Sequence, residues 1–154
     1  MIKTTLCYIE KDNKYLMLHR TKKENDMNEG KWIGIGGKIE EGETPTEGVI
    51  REAKEETNLI LHSVNLRGII YFKNSYYYDE DMYLFTCNDF SGTLKDCDEG
   101  DLKWVDKDEI YNLPLWEGDK IFLDALVKDD RFFELTLNYD KDTLLSYELK
   151  YGDA

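Results

Sequence analysis

A helix with well-defined ends, between residues 44 and 58, constrains the fold of this 154-residue chain more than any other segment. Thr44 is a favoured N-cap residue, Pro45 suits the first helical position, and Glu47 completes a capping box with Thr44. Asn58 tolerates the left-handed conformation with which many helices end. A narrow apolar face, suited to packing on a sheet, consists of Val49, Ile50 and Ala53.

Three carboxylates share another face of this helix. Glu52, Glu55 and Glu56 stand at positions i, i+3 and i+4, where helical side chains are neighbours. Such like charges destabilise an isolated helix by a few tenths of a kcal/mol per pair, whereas clustered hard oxygen ligands suit Mg²⁺ or Mn²⁺. Arg51 is placed to hold one of these carboxylates in a bidentate pair. Because solvated Glu-rich helices are common, the cluster alone favours an ordinary acidic surface over a metal site.

The spacing across residues 37–59 is more specific than the acidic cluster. Five residues separate Gly37 from Glu43, and seven separate Glu43 from Arg51. The other fixed positions are Glu52, Glu55, Glu56 and Leu59. This segment resembles the Nudix box, the signature of hydrolases that act on a nucleoside diphosphate linked to another group. Asn58 replaces a Gly of the pattern and Ala53 replaces a larger aliphatic residue, and both are mild departures.

The resemblance implies a single Nudix hydrolase domain over residues 1–154, of the α/β (α+β) class, with a mixed β-sheet between helices. It implies that Mg²⁺ or Mn²⁺ is bound by the backbone and carboxylates of Gly36, Gly37, Glu52, Glu55 and Glu56. Water activated by the metal would attack phosphorus while a carboxylate removes its proton. Catalytic roles are therefore expected for Arg51, Glu55 and Glu56.

The other secondary structure also favours a mixed sheet, because strands flank helices without regular βαβ alternation. Strands are predicted at 4–10 (an edge strand), 15–20, 66–73, 82–87 and 102–105, and a terminal hairpin turns at 140–142. Helices are predicted at 106–112, with Asp106 and Glu109 as a capping box, and at 117–128. A loop is expected at 21–31 and an irregular segment at 32–37.

The resemblance extends along most of the chain, and its layout is similar to the MutT-type oxidised-purine nucleoside triphosphatases, especially their vertebrate branch. That likeness implies that Glu99 reaches the metals and that Trp116 stacks on the base. Positions matching the family's base pocket or phosphate contacts are Arg20, Lys23, Met27, Ile33, Phe72 and Asp119. Simpler roles compete with six of these: a loop acid for Glu99, a core residue for Trp116, a core or loop residue for Met27 and Phe72, and a solvated cation for Arg20 and Lys23.

Two departures concern base selection. The vertebrate branch has an Asn that hydrogen-bonds the purine where this chain has Ile33. It also has two successive Asp residues where this chain has Gly118 and Asp119. Loss of a polar contact weakens discrimination between bases, because selectivity rests on paired polar groups. The resemblance therefore implies the reaction class more firmly than the base.

Composition limits the partners. The formal net charge of −13 repels nucleic acid polymers and anionic membranes, but a phosphate substrate is compatible when divalent cations lie between protein and phosphate. No apolar run approaches 18 residues, and the three cysteines lack zinc-site spacing, so we expect a protein of the reducing cytoplasm without a membrane span. The expected partner is a small nucleotide, and the oligomeric state is open.

Three functions are compatible with these residues. The first is hydrolysis of a nucleoside triphosphate, such as 8-oxo-dGTP, to a monophosphate and pyrophosphate. The second is hydrolysis of another nucleoside diphosphate derivative, such as ADP-ribose, NADH, a dinucleoside polyphosphate or an RNA cap. The third is a non-enzymatic sensor, which the intact Arg51, Glu52, Glu55 and Glu56 disfavour because a sensor need not keep catalytic carboxylates.

Overall fold

The computed structural model describes residues 2–21 and 26–152, in which eight strands form one sheet. The elements are β1 (Ile2–Lys11), β2 (Lys14–Arg20), β3 (Trp32–Ile33), α1 (Pro45–Thr57), β4 (Ile60–Asn74), β5 (Glu80–Ser91), β6 (Gly100–Asp106), α2 (Glu117–Lys128), β7 (Phe133–Asp140) and β8 (Thr143–Tyr151). The strand order is β3-β2-β1-β5-β4-β7-β8, with β6 paired to β2. Strands β1 and β5 are parallel, as are β4 and β7, and the other pairs are antiparallel. The predicted mixed sheet is confirmed.

The two helices cover the sheet by packing against two separate hydrophobic clusters. Along β1, Leu6 and Tyr8 belong to the cluster that contains α2 residues, whereas Cys7 and Ile9 belong to the cluster that contains α1 residues. This division follows from the alternation of side chains along a strand. The sheet therefore lies between the helices, as predicted. Neither helix of the described chain is long and apolar enough to cross a membrane.

The prediction that residues 4–10 form an edge strand is wrong. Strand β1 lies between β2 and β5, and every residue from 4 to 9 is buried. The sequence alternates Leu6, Tyr8 and Glu10 with residues that look less apolar, but Thr5 and Cys7 are equally buried on the opposite side. Because both faces of this strand are covered, its weak alternation reflects central burial and not an exposed edge.

The predicted helix over 106–112 is also wrong, since only a 3₁₀ turn forms there, over Ile110–Asn112. Asp106 pairs with Lys14 as the last residue of β6, so it is unavailable as an N-cap. Glu109 precedes the turn but makes no side-chain capping bond. Pairing with β2 thus extends the strand into the segment that the local capping pattern assigned to a helix.

The ends of α1 form as predicted. Thr44 Oγ1 accepts a hydrogen bond from Glu47 N at 3.1 Å, and Glu47 Oε1 accepts one from Thr44 N at 2.9 Å, which completes the capping box. Asn58 adopts the left-handed conformation, with φ of 68°. Its side chain accepts from Lys54 Nζ at 2.9 Å and donates to the Thr93 carbonyl at 3.0 Å. These bonds explain how Asn serves where the box pattern has Gly.

Replacement of Asn58 tests this account of the helix end. In Asn58→Gly the side-chain hydrogen bonds disappear, but the left-handed backbone is unstrained. In Asn58→Ala the same bonds disappear and the left-handed backbone costs about 1–2 kcal/mol. We expect Asn58→Ala to melt below Asn58→Gly by roughly 2–8 °C in a thermal unfolding experiment. Equal melting temperatures would show that the helix end is not held in this conformation.

Candidate active site

A cavity of about 460 Å³ runs between α1 and the start of α2 and brings most of the predicted site residues together. Its acidic end includes Arg20, Gly36, Gly37, Glu52, Glu56 and Glu99. Its aromatic end includes Met27, Ile33, Phe72, Trp116 and Asp119. Arg51 and Glu55 do not line the cavity, and Lys23 lies outside the described residues.

The acidic end holds carboxyl groups that lack sufficient partners. Burial, reinforced by the negative charges of Glu99 and Glu52, raises the pKa of Glu56 to about 8, although a Gly36 backbone hydrogen bond and Arg20 oppose this shift. Burial likewise raises the pKa of Glu52. Within the described chain, Glu56 Oε2 is buried without a hydrogen-bond partner. A buried carboxylate oxygen of this kind is costly, and a hard divalent cation would satisfy it.

These carboxyl groups therefore suit Mg²⁺ or Mn²⁺ in chemical type, but they are not arranged as a complete coordination shell. No group of three His, Cys, Asp or Glu side chains in residues 2–21 and 26–152 has a geometry that could hold a metal ion. Glu52, Glu56 and Glu99 line one cavity and repel one another electrostatically. Metal binding at this end would require their carboxylates to move closer together.

Two glycines leave room for this arrangement. A Cβ on Gly37 would lie 2.6 Å from Glu52 Cδ, so the Glu52 carboxylate occupies the space of the missing side chain. A Cβ on Gly36 would collide with the Thr5 carbonyl of β1. The Gly37 carbonyl accepts a hydrogen bond from Thr5 N at 2.9 Å. Close contact between β1, this loop and α1 is possible only because both positions lack side chains.

Arg51 connects α1 to the loop before it. The prediction that Arg51 forms a bidentate pair with a helical carboxylate is wrong, because the bidentate pair is with Glu43 of the loop. Arg51 Nε donates to Glu43 Oε2 at 2.7 Å and Nη2 to Glu43 Oε1 at 3.0 Å. Nη1 donates to Glu52 at 3.0 Å and to Glu55 at 3.2 Å. Nη2 also donates to the Lys38 carbonyl at 3.0 Å. Arg51 thus positions two of the predicted metal ligands.

Arg20 lies beneath the acidic end in contact with two carboxylates. Its guanidinium pairs with Asp26 at 2.9 Å and with Glu99 at 3.3 Å, and its side chain is only 10% exposed. Nε is buried without a hydrogen-bond partner in the described chain. The predicted phosphate contact of Arg20 and metal contact of Glu99 both require this ion pair to loosen, so both roles stay predictions.

Trp116 belongs to the hydrophobic core and to the cavity wall at once. Its indole Nε1 donates to Asn28 Oδ1 at 2.7 Å, and its ring meets the Phe72 ring edge-on with centroids 5.5 Å apart. Lys31 Nζ lies 4.4 Å from the ring centroid, in a cation–π contact. The ring is therefore fixed in orientation before any base stacks on it.

Asp119, which the resemblance implies as a base-pocket residue, is buried in the wall of the aromatic end. Burial, with a smaller contribution from the charge of Glu80, raises its pKa to about 8, although Lys31 opposes this shift. Ile33, on β3, has no polar atom in its side chain, and Gly118 has no side chain. A Cβ there would lie 2.5 Å from Leu137 Cδ1 of β7.

Four further residues at this end had no role in the sequence analysis. Glu80 and Thr4 line the cavity, while Asn28 and Lys31 contact Trp116. Nothing local distinguishes Glu80 from Asp79 and Asp81, and its position beside the cavity depends on the pairing of β5 with β1 and β4. Only Lys31 had a sequence signal, since it directly precedes the Gly-rich segment at 32–37.

Comparison with known proteins identifies the family. The profile of the NUDIX domain matches residues 2–126. An uncharacterized Nudix hydrolase of Bacillus subtilis, YvcI, is 32% identical over 96% of this chain and 93% of that protein. The oxidized purine nucleoside triphosphate hydrolase of Mus musculus is 31% identical over 86% of this chain and 85% of its own length. The chain belongs to the Nudix family, and it is a Nudix hydrolase.

A solved structure supports the fold assignment. The MutT protein of Bacillus halodurans superposes with a TM-score of 0.86 at 30% identity, covering 97% of this chain and 98% of that one. The predicted Nudix fold, with a MutT-type layout, is confirmed. Nudix hydrolases generally use divalent metal ions and act on small nucleotide substrates, which agrees with the acidic end of the cavity.

The Arg51–Glu43 pair makes stability depend on pH in a defined window. Hydrogen bonds from Arg51, and a further one from the Glu40 backbone, lower the pKa of Glu43 from 4.5 to about 2. The stabilisation is therefore complete above pH 4.5 and disappears as the pH falls toward 2. We expect wild type to melt above Glu43→Gln at neutral pH, with the difference closing between pH 4.5 and 2.

Melting temperatures measured from pH 7 to pH 2.5 check this expectation. Glu41→Gln is the matched control, because Glu41 is an exposed carboxylate two residues away in the same loop. A difference between wild type and Glu43→Gln that persisted unchanged down to pH 2.5 would contradict it.

Proposed function

We propose that this protein hydrolyses purine nucleoside triphosphates, including 8-oxo-dGTP, to a nucleoside monophosphate and pyrophosphate, with Mg²⁺ or Mn²⁺. The observation that carries the proposal is one continuous cavity with carboxylates at one end and aromatic side chains at the other. A nucleoside triphosphate has its groups in the matching order, with a metal-binding phosphate chain at one end and a flat base at the other. The likeness to the Mus musculus enzyme supports this substrate class.

At the acidic end, Glu52, Glu56 and Glu99 would hold the metal, with Glu55 at the rim and the backbone of Gly36 and Gly37 beside them. The bound ion would neutralise phosphate charge and polarise phosphoryl oxygens. Glu56 is a candidate for accepting the proton of the attacking water, because it lines the cavity and its Oε2 atom has no hydrogen-bond partner in the described chain. Glu55 and Glu99 are the other candidates for this proton transfer.

The neighbouring cations would position these groups. Arg51 keeps Glu52 and Glu55 in place through its hydrogen bonds. Arg20, once Glu99 turns toward the metal, would be released from that ion pair to contact a phosphate. A guanidinium suits this task because it binds phosphate oxygens through a rigid fork of donors.

At the aromatic end, Trp116 and Phe72 would contact the faces and edges of the base. A base that stacks on the Lys31-covered face of Trp116 would displace the lysine from the ring. Ile33 stands where the vertebrate branch has an Asn that hydrogen-bonds the purine, so we expect relaxed selectivity among purines. The kcat/KM for 8-oxo-dGTP should exceed that for dGTP by a smaller factor than in an enzyme that is strictly selective for oxidised purines. Met27 and Asp119 complete this end of the cavity.

The proposal is tested by measuring nucleoside monophosphate and pyrophosphate release from 8-oxo-dGTP, dGTP, dATP and dCTP, and AMP release from ADP-ribose, the outgroup, whose other product is ribose 5-phosphate. We expect purine triphosphates to be the best substrates, no turnover in EDTA, and recovery with Mg²⁺ or Mn²⁺. Glu56→Gln should lower kcat by roughly 10²–10⁴, the usual scale for a group that transfers a proton. Glu148→Gln, which removes an exposed carboxylate on β8, is the matched control.

Three outcomes would contradict the proposal. Turnover in metal-free buffer would show that the acidic end does not act by binding a metal ion. ADP-ribose as the best substrate would assign the cavity to another class of nucleoside diphosphate derivative. Absence of turnover on every compound, with metal present, would favour a ligand sensor built on the same fold.

Trp116 provides a separate prediction about the base. Stacking of a base on an aromatic ring contributes about 1–3 kcal/mol, so Trp116→Leu should raise KM for every purine substrate by roughly 5–150-fold. Trp104→Leu is the matched control, because Trp104 stacks on Phe90 and belongs to the cluster on the α1 side. Steady-state kinetics with dGTP and dATP would refute the stacking role if both variants kept the wild-type KM.

A further inference from the structure

Glu80 is a buried carboxyl group in the cavity wall, and no metal-binding or stacking role accounts for it. It is the first residue of β5 and is only 6% exposed. Its backbone pairs with Phe72 of β4, so its side chain emerges next to an aromatic wall of the cavity. Glu residues are almost never buried without a partner, so this position calls for an explanation.

A single neutral hydrogen bond holds Glu80 in the described chain. Thr4 Oγ1 donates to Glu80 Oε2 at 2.8 Å, and Thr4 itself is 9% exposed. Burial raises the pKa of the Glu80 carboxyl, while the Thr4 bond and the charge of Lys38 oppose that shift. A carboxylate has roughly four acceptor positions, so Oε1 keeps its capacity to accept hydrogen bonds from a molecule in the cavity.

Glu80 adds a second carboxyl acceptor, beside Asp119, to the aromatic end. Ile33 has no polar side-chain atom, and position 118 is a glycine whose added Cβ would lie 2.5 Å from Leu137 Cδ1. Apart from Asp119, Glu80 is the buried carboxyl group that lines this part of the cavity. The two are close enough for the charge of Glu80 to affect Asp119. A pair of carboxyl groups repels phosphate but attracts the N–H groups of a base.

We propose that Glu80, oriented by Thr4, determines base specificity by accepting a hydrogen bond from an exocyclic amino group of the bound purine. This inference rests on the proposed function, since it requires the base to enter the aromatic end. It deepens that function by naming the substrate class: purines with an amino substituent, such as guanine, oxidised guanine or adenine. Purines that lack the amino group leave a buried carboxyl without its ligand partner, which is costly.

Substrate pairs that differ by one amino group test the proposal. The pairs are dGTP with dITP, and dATP with the triphosphate of unsubstituted purine deoxyriboside. Glu80→Met removes both acceptor oxygens at similar length, and Glu80→Gln keeps one neutral acceptor. In at least one pair, the kcat/KM ratio of the amino purine to its analogue should fall by about 10- to 150-fold in Glu80→Met, the usual effect of losing a hydrogen bond to a charged group. Glu80→Gln should show a smaller fall in the same pair.

Two further variants separate recognition from a general effect on the strand. Asp81→Asn is the matched control: the adjacent residue of β5 points to the opposite side of the sheet and does not line the cavity, so both ratios should equal those of wild type. Thr4→Val removes the hydroxyl that orients Glu80 and should lower the same ratio by less than Glu80→Met. Melting temperatures of all variants are measured alongside. If Glu80→Met does not fold, the kcat/KM ratios of Glu80→Gln decide the test.

The outcomes distinguish this inference from the proposed function. A fall in the ratio with an unchanged Asp81→Asn control supports the role of Glu80. If wild type hydrolyses the triphosphates but the Glu80 variants keep both ratios, the role of Glu80 is overturned and the proposed function stands. If wild type hydrolyses none of these triphosphates, both are overturned.

Discussion

The bidentate contact between Arg51 and Glu43 is the interaction on which the arrangement of the acidic end depends. One guanidinium joins the loop before α1 to the helix itself, and its remaining donors hold Glu52 and Glu55. Without this cation, several carboxylates would face one another with little to offset their repulsion. The same guanidinium donates to the carbonyl of Lys38, the residue that follows Gly37, and the Glu52 carboxylate fills the space beside Gly37.

The sheet connects the acidic end of the cavity to its aromatic end. Strand β1 packs against the loop before α1, through Thr5, and also supplies Thr4 to the wall near Glu80. Because β1 is central and buried on both faces, neither end of the cavity can shift without disturbing a core. The phosphate-binding chemistry and the base-binding chemistry that we propose therefore share one rigid support.

Local signals in the sequence predicted α1 well, because Thr44, Glu47 and Asn58 are capping residues whose partners lie within a few positions. The fixed spacing of the box predicted that Glu52 and Glu56 meet in one place. Strand order was not predictable in this way, so β1 was placed at an edge. Glu80 was missed for the same reason: its neighbour Thr4 is 76 residues away, and only the parallel pairing of β1 with β5 brings them together.

The terminal hairpin of β7 and β8 lies beyond the region that matches the family profile, yet it forms the back of the aromatic end. The Tyr139 hydroxyl accepts a hydrogen bond from Gly118 N at 2.7 Å, and its ring meets the Trp116 ring edge-on at 5.1 Å. Leu137 fills the space that a side chain at position 118 would need. Substitutions in this hairpin would therefore change base preference indirectly, by shifting Trp116 and Gly118, although the hairpin residues do not line the cavity. The residues of the Nudix box would stay unchanged.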